Sequence, residues 1–206
     1  MSGVLILGAG GHGKVIADIL LLSGVNLLGF LDDDPQATGS RHLGLPVLGR
    51  ISEYARYAPG GLALGIGSNQ VRQAVVKRLG AEAQSLWLNA IHPRATVADS
   101  AVLGKGVVIA AQAVVNPDSI LGDHVIINTS ASVDHDCHVS DFAHIAPGSH
   151  LAGGVIVEEG AFLGIGTSVI PGVRVGQWST VGAGSVVLRD VPSSATVYGV
   201  PSRVKN

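Results

Sequence analysis

Two neighbouring residues in the middle of the chain have the types to move a proton: His135, followed directly by Asp136 within Val133-Asp134-His135-Asp136-Cys137. A histidine changes charge near neutral pH, so it accepts a proton from an attacking nucleophile without a large pKa shift. Adjacent residues of a strand point to opposite faces, so a direct bond between imidazole and carboxylate requires a corner in the chain. A second histidine, His144, follows nine residues on. Nearer the N-terminus, Gly8, Gly10 and Gly13 have the spacing of a dinucleotide fingerprint, with Asp32, Asp33 and Asp34 about twenty residues further along. Backbone N–H groups from Gly10 to Gly13, at the start of a helix, suit a pyrophosphate.

The elements that must position the histidines are set by a repeat. From Ile91 every sixth residue is aliphatic, through Val97, Leu103, Ile109 and onward to Val187, with no interruption. Four residues after each comes a small or short side chain, such as Ala113, Ala131, Cys137, Ala143 or Ser149. Gly, Asn, Asp or Ala usually follows the aliphatic directly, as in Gly104, Asn116 and Gly122, and these types turn a chain sharply or tolerate positive φ. Each hexad therefore reads as one short strand plus a corner. Such a unit cannot bury its aliphatic alone, so successive units must stack into a parallel β-helix with a continuous core. His135 and Asp136 fall where a hexad turns.

The first ninety residues form a different domain, giving expected boundaries of 1–90 and 91–206. Val4–Leu7 reads as a buried strand, Gly8 to Gly13 as a glycine loop, and Lys14 to Ser23 as a helix with Val15, Ile16, Ile19 and Leu20 inward. Leu27–Leu31 is a second strand. A helical segment (Ile51–Tyr57), a strand (Leu62–Ile66), the turn Gly67-Ser68-Asn69, a helix from Gln70 to about Leu79 and a last short strand at Ser85–Leu88 follow. This is about one mononucleotide-binding half, whereas a dinucleotide site needs two halves meeting at a switch point. The pattern points to a nucleotide-linked ligand held through its diphosphate, with Asp32 or Asp33 accepting from ribose or base. A purely structural glycine loop and an NAD site are the alternatives.

Composition bounds the rest. With 206 residues, 4% aromatic content and 29 glycines, the chain suits a β-helix better than a bulky packed core. Its lone cysteine, Cys137, excludes an internal disulfide, fits a reducing compartment and reads as a buried thiol. No apolar stretch could serve as a secretion signal or span a bilayer, so a cytoplasmic protein without membrane insertion is expected. A net charge of −2 without a basic stripe or aromatic platform gives no footprint for nucleic acid. Five histidines, His124, His135, His138, His144 and His150, invite a metal reading. However, His138, His144 and His150 share one hexad register on three successive faces and cannot converge on one ion inside one chain. The expected metal content is none, and His124, His138 and His150 read as surface or corner residues.

A small α/β domain opening with GAGGHGKV, FLDDD after its second strand, GIGSN after its third, and then hexads containing VDHDC and DFAHIAPG resemble the nucleotide-sugar acetyltransferases of bacterial glycan assembly. That group includes the enzymes that N-acetylate UDP-bacillosamine precursors or GDP-perosamine, and the sialic acid O-acetyltransferases. The resemblance implies a Rossmann-like α/β half domain followed by a left-handed parallel β-helix with three hexads per turn, assembled as a homotrimer. It implies acetyl-CoA as co-substrate and a nucleotide-activated amino sugar as acceptor.

By the same resemblance His135 is the base, Asp136 raises its basicity, and His144 meets the thioester region of acetyl-CoA. Asn128 belongs to the acceptor site, and Gly153 and Ile165 to the pantetheine arm. Arg203 and Lys205, beside the closing Gly199-Val200-Pro201-Ser202-Arg203 segment, are candidates for the phosphates of CoA. Gly10, Gly11, His12, Asp32, Asp33 and Gly67 fall to the nucleotide sugar. His135 and His144 lie half a coil apart, on different sides of one prism, so they meet only where two subunits pack edge to edge. The leading function is therefore acetyl-CoA-dependent N-acetylation of a nucleotide-linked amino sugar. O-acetylation of a sialic acid or related hydroxyl, a non-catalytic sugar-nucleotide sensor and a metal-dependent hydratase on the same prism are the rivals.

Overall fold

The computed structural model describes residues 3–205, which divide into two compact units at Pro93/Arg94. In the first, β1 (Val4–Leu7), β2 (Leu27–Leu31) and β5 (Gly61–Leu64) are short apolar runs buried on both faces. They are joined by α1 (Gly11–Leu22) and, before α2 (Asn69–Leu79), by a hairpin of β3 (Arg41–His42) and β4 (Leu45–Gly49). The sheet order is β3-β4-β2-β1-β5, with β4, β2, β1 and β5 parallel and β3 antiparallel. From β1 the chain moves to β2 on one side and later returns to β5 on the other. The carboxyl ends of β1 and β5 therefore flank the switch point, the place where open parallel sheets take their ligands.

Several local expectations are corrected. α1 begins at Gly11, three residues earlier than expected, because Gly10 caps it in an extended conformation. Val15 is 40% exposed; Gly13, Ile16, Ala17, Ile19 and Leu20 make the buried face instead. Ile51–Tyr57 is a 3-10 helix, and the strand after it ends at Leu64, not Ile66. Ser85–Leu88 forms only one bridge, Leu62 to Trp87. Strand β4 went unread because Pro46 interrupts its apolar run and removes a ladder donor.

The second unit is a β-helix of two-residue strands in three walls, and each hexad passes the chain to the next wall. Thus Ser132–Val133, His138–Val139 and His144–Ile145 stand in three different sheets. Each pairs in parallel with the strand one coil on, as Ser132 with His150 and His144 with Phe162. The aliphatic register fills the interior: Ile109, Val115, Ile127, Val133, Val139 and Ile145 are fully buried. The small register carries buried hydroxyls that bond corner carbonyls, as Ser149 to Gly164 and Ser179 to Gly176, so no interior polarity is left unmatched at those turns.

The corner itself differs from expectation. Left-handed φ does not fall directly after the aliphatic but three residues after it, at Gln112, Asp118, His124, Ser130, Asp136 and Phe142, and onward to Trp178 and Gly184. The glycines that follow the aliphatic serve close approach between coils instead. A Cβ at Gly104 would stand 2.7 Å from the Gly122 carbonyl carbon, and one at Gly176 2.5 Å from the Ser193 nitrogen.

Candidate active site

His135 and Asp136 occupy one such corner, after the strand Ser132–Val133. Asp136 has φ 58°, a left-handed conformation that aspartate tolerates better than most side chains. That turn cancels the alternation of a strand and brings Asp136 Oδ2 to 2.7 Å from His135 Nδ1. Both side chains are well exposed, at 61% and 66%. The hydrogen bond that His135 donates to Asp136, with the nearby charge of Asp134, raises the His135 pKa above its ordinary value. With Nδ1 committed to the carboxylate, Nε2 is the ring nitrogen left for proton exchange.

Three residues given no site role in the sequence, Asp134, Asn116 and Ser119, support this corner. Asp134 Oδ1 accepts from the His135 N–H at 2.8 Å and from Asn116 Nδ2 at 2.9 Å, and these bonds hold its carboxyl below the usual range. Ser119 Oγ donates to the Asp134 carbonyl at 2.6 Å. Asn116 and Asp134 stand eighteen residues apart. Polar residues in register one coil apart were the available signal.

His144 lies in another wall, on the strand His144–Ile145, 8% exposed and edge-on to Phe162 with ring centroids 5.3 Å apart. Asn128 Nδ2 sits 3.1 Å from His144 Nε2. With the amide donating, a neutral His144 ring carries its proton on Nδ1. The structure thus joins Asn128 to His144, while His135 stands at a different corner. Gly153 belongs with His135, since a Cβ there would lie 2.6 Å from Cε1 of its ring. Ile165 is 61% exposed at a corner. Arg203 and Lys205 are exposed near the end of the chain, where Arg203 lines a cavity with Arg189, Asp190 and Ser202. His138 and His150 are exposed, whereas His124 is a corner residue buried by stacking on Phe142. No cluster of three or more His, Cys, Asp or Glu side chains suited to a metal ion occurs among the described residues.

In the N-terminal unit the glycines divide by role. A Cβ at Gly13 would stand 2.1 Å from the Gly8 carbonyl oxygen, so Gly13 serves helix–strand packing. Around Gly10 and Gly11 nothing lies within 4 Å of a Cβ, so the loop is open on the side where side chains would stand. His12 is largely buried, and desolvation, with the Arg72 charge adding to it, lowers its pKa to about 4. The two candidate acids are already engaged inside the domain. Asp32 accepts from the Ala9 N–H at 2.7 Å and the Asp34 N–H at 2.9 Å, and so braces the glycine loop. Asp33 accepts from the Ile51 N–H at 3.2 Å and pairs with Arg78 at 2.6 Å. Gly67 approaches His12 across the switch point, with its Cβ position 3.9 Å from the His12 Cβ. Sequence reasoning missed Arg72, which is 1% exposed and bonds the turn carrying Gly67.

Comparison with known proteins finds the chain similar to sugar N-acetyltransferases. The PglD N-terminal domain family matches residues 3–79. The chain is 43% identical to the perosamine N-acetyltransferase from Caulobacter crescentus, seen in complex with CoA and GDP-perosamine, with a TM-score of 0.91 over 100% of this chain and 98% of that one. The same complex has been seen with a histidine of that enzyme replaced by asparagine. The acetyltransferase domain of PglB from Neisseria gonorrhoeae, in complex with acetyl coenzyme A, is 36% identical at a TM-score of 0.91 over 99% of both chains. The UDP-N-acetylbacillosamine N-acetyltransferase of Bacillus subtilis is 41% identical over 114 residues, which is 54% of this chain. The chain spans 22% and 52% of the length of the curated relatives it matches.

Proposed function

Because the chain belongs to the PglD-like family of acetyl-CoA-dependent sugar N-acetyltransferases built on a hexapeptide β-helix, we propose that it acetylates the amine of a nucleotide-linked amino sugar in glycan biosynthesis, with His135 as the base. The observation that carries this reading is the 2.7 Å bond between His135 Nδ1 and Asp136 Oδ2 at an exposed corner. The amine nitrogen attacks the thioester carbonyl carbon, the new C–N bond forms, and the C–S bond breaks. CoA leaves as the thiolate. The proton released from the amine passes to His135 Nε2 and on to the thiolate, giving the free thiol of CoA, so the ring ends neutral for the next cycle.

Asp136 raises the basicity of the ring and fixes its tautomer. His144, held by Asn128, meets the thioester end of acetyl-CoA, and Asn128 orients the acceptor side of the same wall. Gly153 makes room for the base, Ile165 packs on the pantetheine arm, and Arg203 and Lys205 meet the phosphates of CoA. The N-terminal domain takes the nucleotide. The open Gly10–Gly11 backbone and uncharged His12 face the diphosphate, Gly67 forms the opposite lip, and Asp32 and Asp33 shape the crevice from within.

The acetyl-CoA site lies between neighbouring prisms of a homotrimer, a reading supported by the placement of His135 and His144 at different walls of one prism. Sedimentation at micromolar concentration should show the trimer; a fully active monomer would refute it. No helix among the described residues is long and apolar enough to cross a membrane, and the lone reduced Cys137 fits a cytoplasmic enzyme. The direct test of function is thiol release from acetyl-CoA against a panel of UDP-, GDP-, dTDP- and CMP-linked amino sugars. Release with a nucleotide-linked amine is expected. Equal release with free sugars or hydroxyl acceptors would contradict the reading.

A further inference from the structure

The crevice of the N-terminal domain is built on a buried cation. Arg72 lies in the first turns of α2 with Nη1 donating to the carbonyl oxygens of Ile66 at 3.2 Å and Gly67 at 3.0 Å, and Nη2 to Asn69 Oδ1 at 3.1 Å. It is 1% exposed, and Asn69 8%. An apolar side chain of similar length would hold α2 against the sheet without the cost of desolvating a charge. What only a planar guanidinium supplies is several donors in a fixed fork. Here the fork grips consecutive carbonyls of one turn and the first residue of the helix that follows.

That turn leaves β5 at the switch point. Its approach to the β1–α1 loop is close throughout, since a Cβ at Gly65 would lie 2.6 Å from the Gly8 carbonyl oxygen and 2.8 Å from the Gly13 Cα. With its carbonyls drawn inward by Arg72, the turn is held as a rigid wall facing His12 and the open Gly10–Gly11 backbone. We infer that Arg72 is a positioning residue for the nucleotide part of the acceptor, holding residues 66–69 as one lip of the crevice between β1 and β5. Burial brings its pKa to about 9, which leaves the guanidinium charged at neutral pH and the grip intact. The inference rests on the proposed nucleotide site in this crevice.

The test uses the full chain, with calorimetric titration of GDP and UDP alongside steady-state kinetics and thermal melting. Arg72→Lys removes the fork while keeping a cation, and Asn69→Ala removes its anchor on α2. Both should weaken binding of the preferred nucleoside diphosphate roughly tenfold or more and raise KM for the nucleotide sugar in proportion, with KM for acetyl-CoA holding steady. Asn69→Asp restores an acceptor for Arg72 at a helix N-terminus and should recover most of the loss. Should Arg72→Lys fail to melt cooperatively, the two Asn69 variants decide. Unchanged diphosphate binding in folded variants, or a loss shared equally between both substrates and not recovered by Asn69→Asp, overturns the inference alone. A wild-type chain that turns over a nucleotide sugar yet does not bind the nucleotide of that same sugar overturns the crevice reading and this inference with it.

Discussion

The imidazole of His135 rests in the space left by the missing side chain of Gly153, one coil further along. A Cβ at 153 would stand 2.6 Å from the ring's Cε1 and 2.7 Å from its Nε2. The next residue is tied to the same corner, with the Gly154 N–H donating to the His135 carbonyl at 2.9 Å. Coil stacking therefore sets where the ring sits, while Asp136 sets which nitrogen is left for proton exchange.

Gly153→Ala should displace the base without disturbing the coil, because Gly153 itself is not in the left-handed region. The expected result is a fall in kcat of about 10²-fold, the scale of a misplacement near 1 Å, with the melting temperature unchanged. Kinetics and a thermal melt on one variant check both halves.

Asp136→Asn changes the acid limb of the pH–rate profile. The folded His135 pKa is raised, chiefly by its bond to Asp136, so the base is lost by protonation as pH falls through a value above its ordinary one. Removing the carboxylate charge lowers that value. The limb of kcat/KM should move to lower pH while the plateau drops, since a less basic imidazole is a weaker proton acceptor. An unmoved limb would remove Asp136 from the account.

His144→Ala should act at the other substrate. It takes away the partner of Asn128 Nδ2 and the ring proposed to meet the thioester, so KM for acetyl-CoA rises and turnover falls together. Initial-rate measurements with each substrate varied separately show whether the nucleotide-sugar KM stays put.

His12 ties stability to pH. Its folded pKa, about 4, lies below the ordinary value of 6.5, so the folded state binds fewer protons between those two values. Stability is full above 6.5 and declines as pH falls towards 4, by on the order of 3 kcal/mol at most. Urea unfolding at pH 7 and pH 4.5 should show a smaller loss in His12→Gln than in the wild type.

Much of this was legible beforehand because a six-residue period leaves the interior aliphatic no alternative. Val133, Val139 and Ile145 bury where the period puts them, and the His135–Asp136 contact follows once the corner is located. The left-handed residue was not legible, since Asp136, Phe142, Gly148 and Trp178 all hold that place and share no side-chain chemistry. Tertiary partners were equally hidden. Asp33 meets Arg78 across 45 residues of sequence, Asp134 meets Asn116 one coil away, and Arg72 is buried with its guanidinium on the turn before its own helix. In β4, Pro46 concealed a strand that the neighbouring β2 stabilises.

That His135 takes the proton of the attacking amine is tested by thiol release from His135→Ala as a function of pH, with each substrate varied in turn against saturating levels of the other. The account predicts a kcat lower by roughly 10²–10⁴-fold at neutral pH, with little change in either KM and no recovery to wild-type turnover as pH rises. A small loss that fades as pH is raised would mean that the bound amine is already neutral and that the histidine only positions it, contradicting the account.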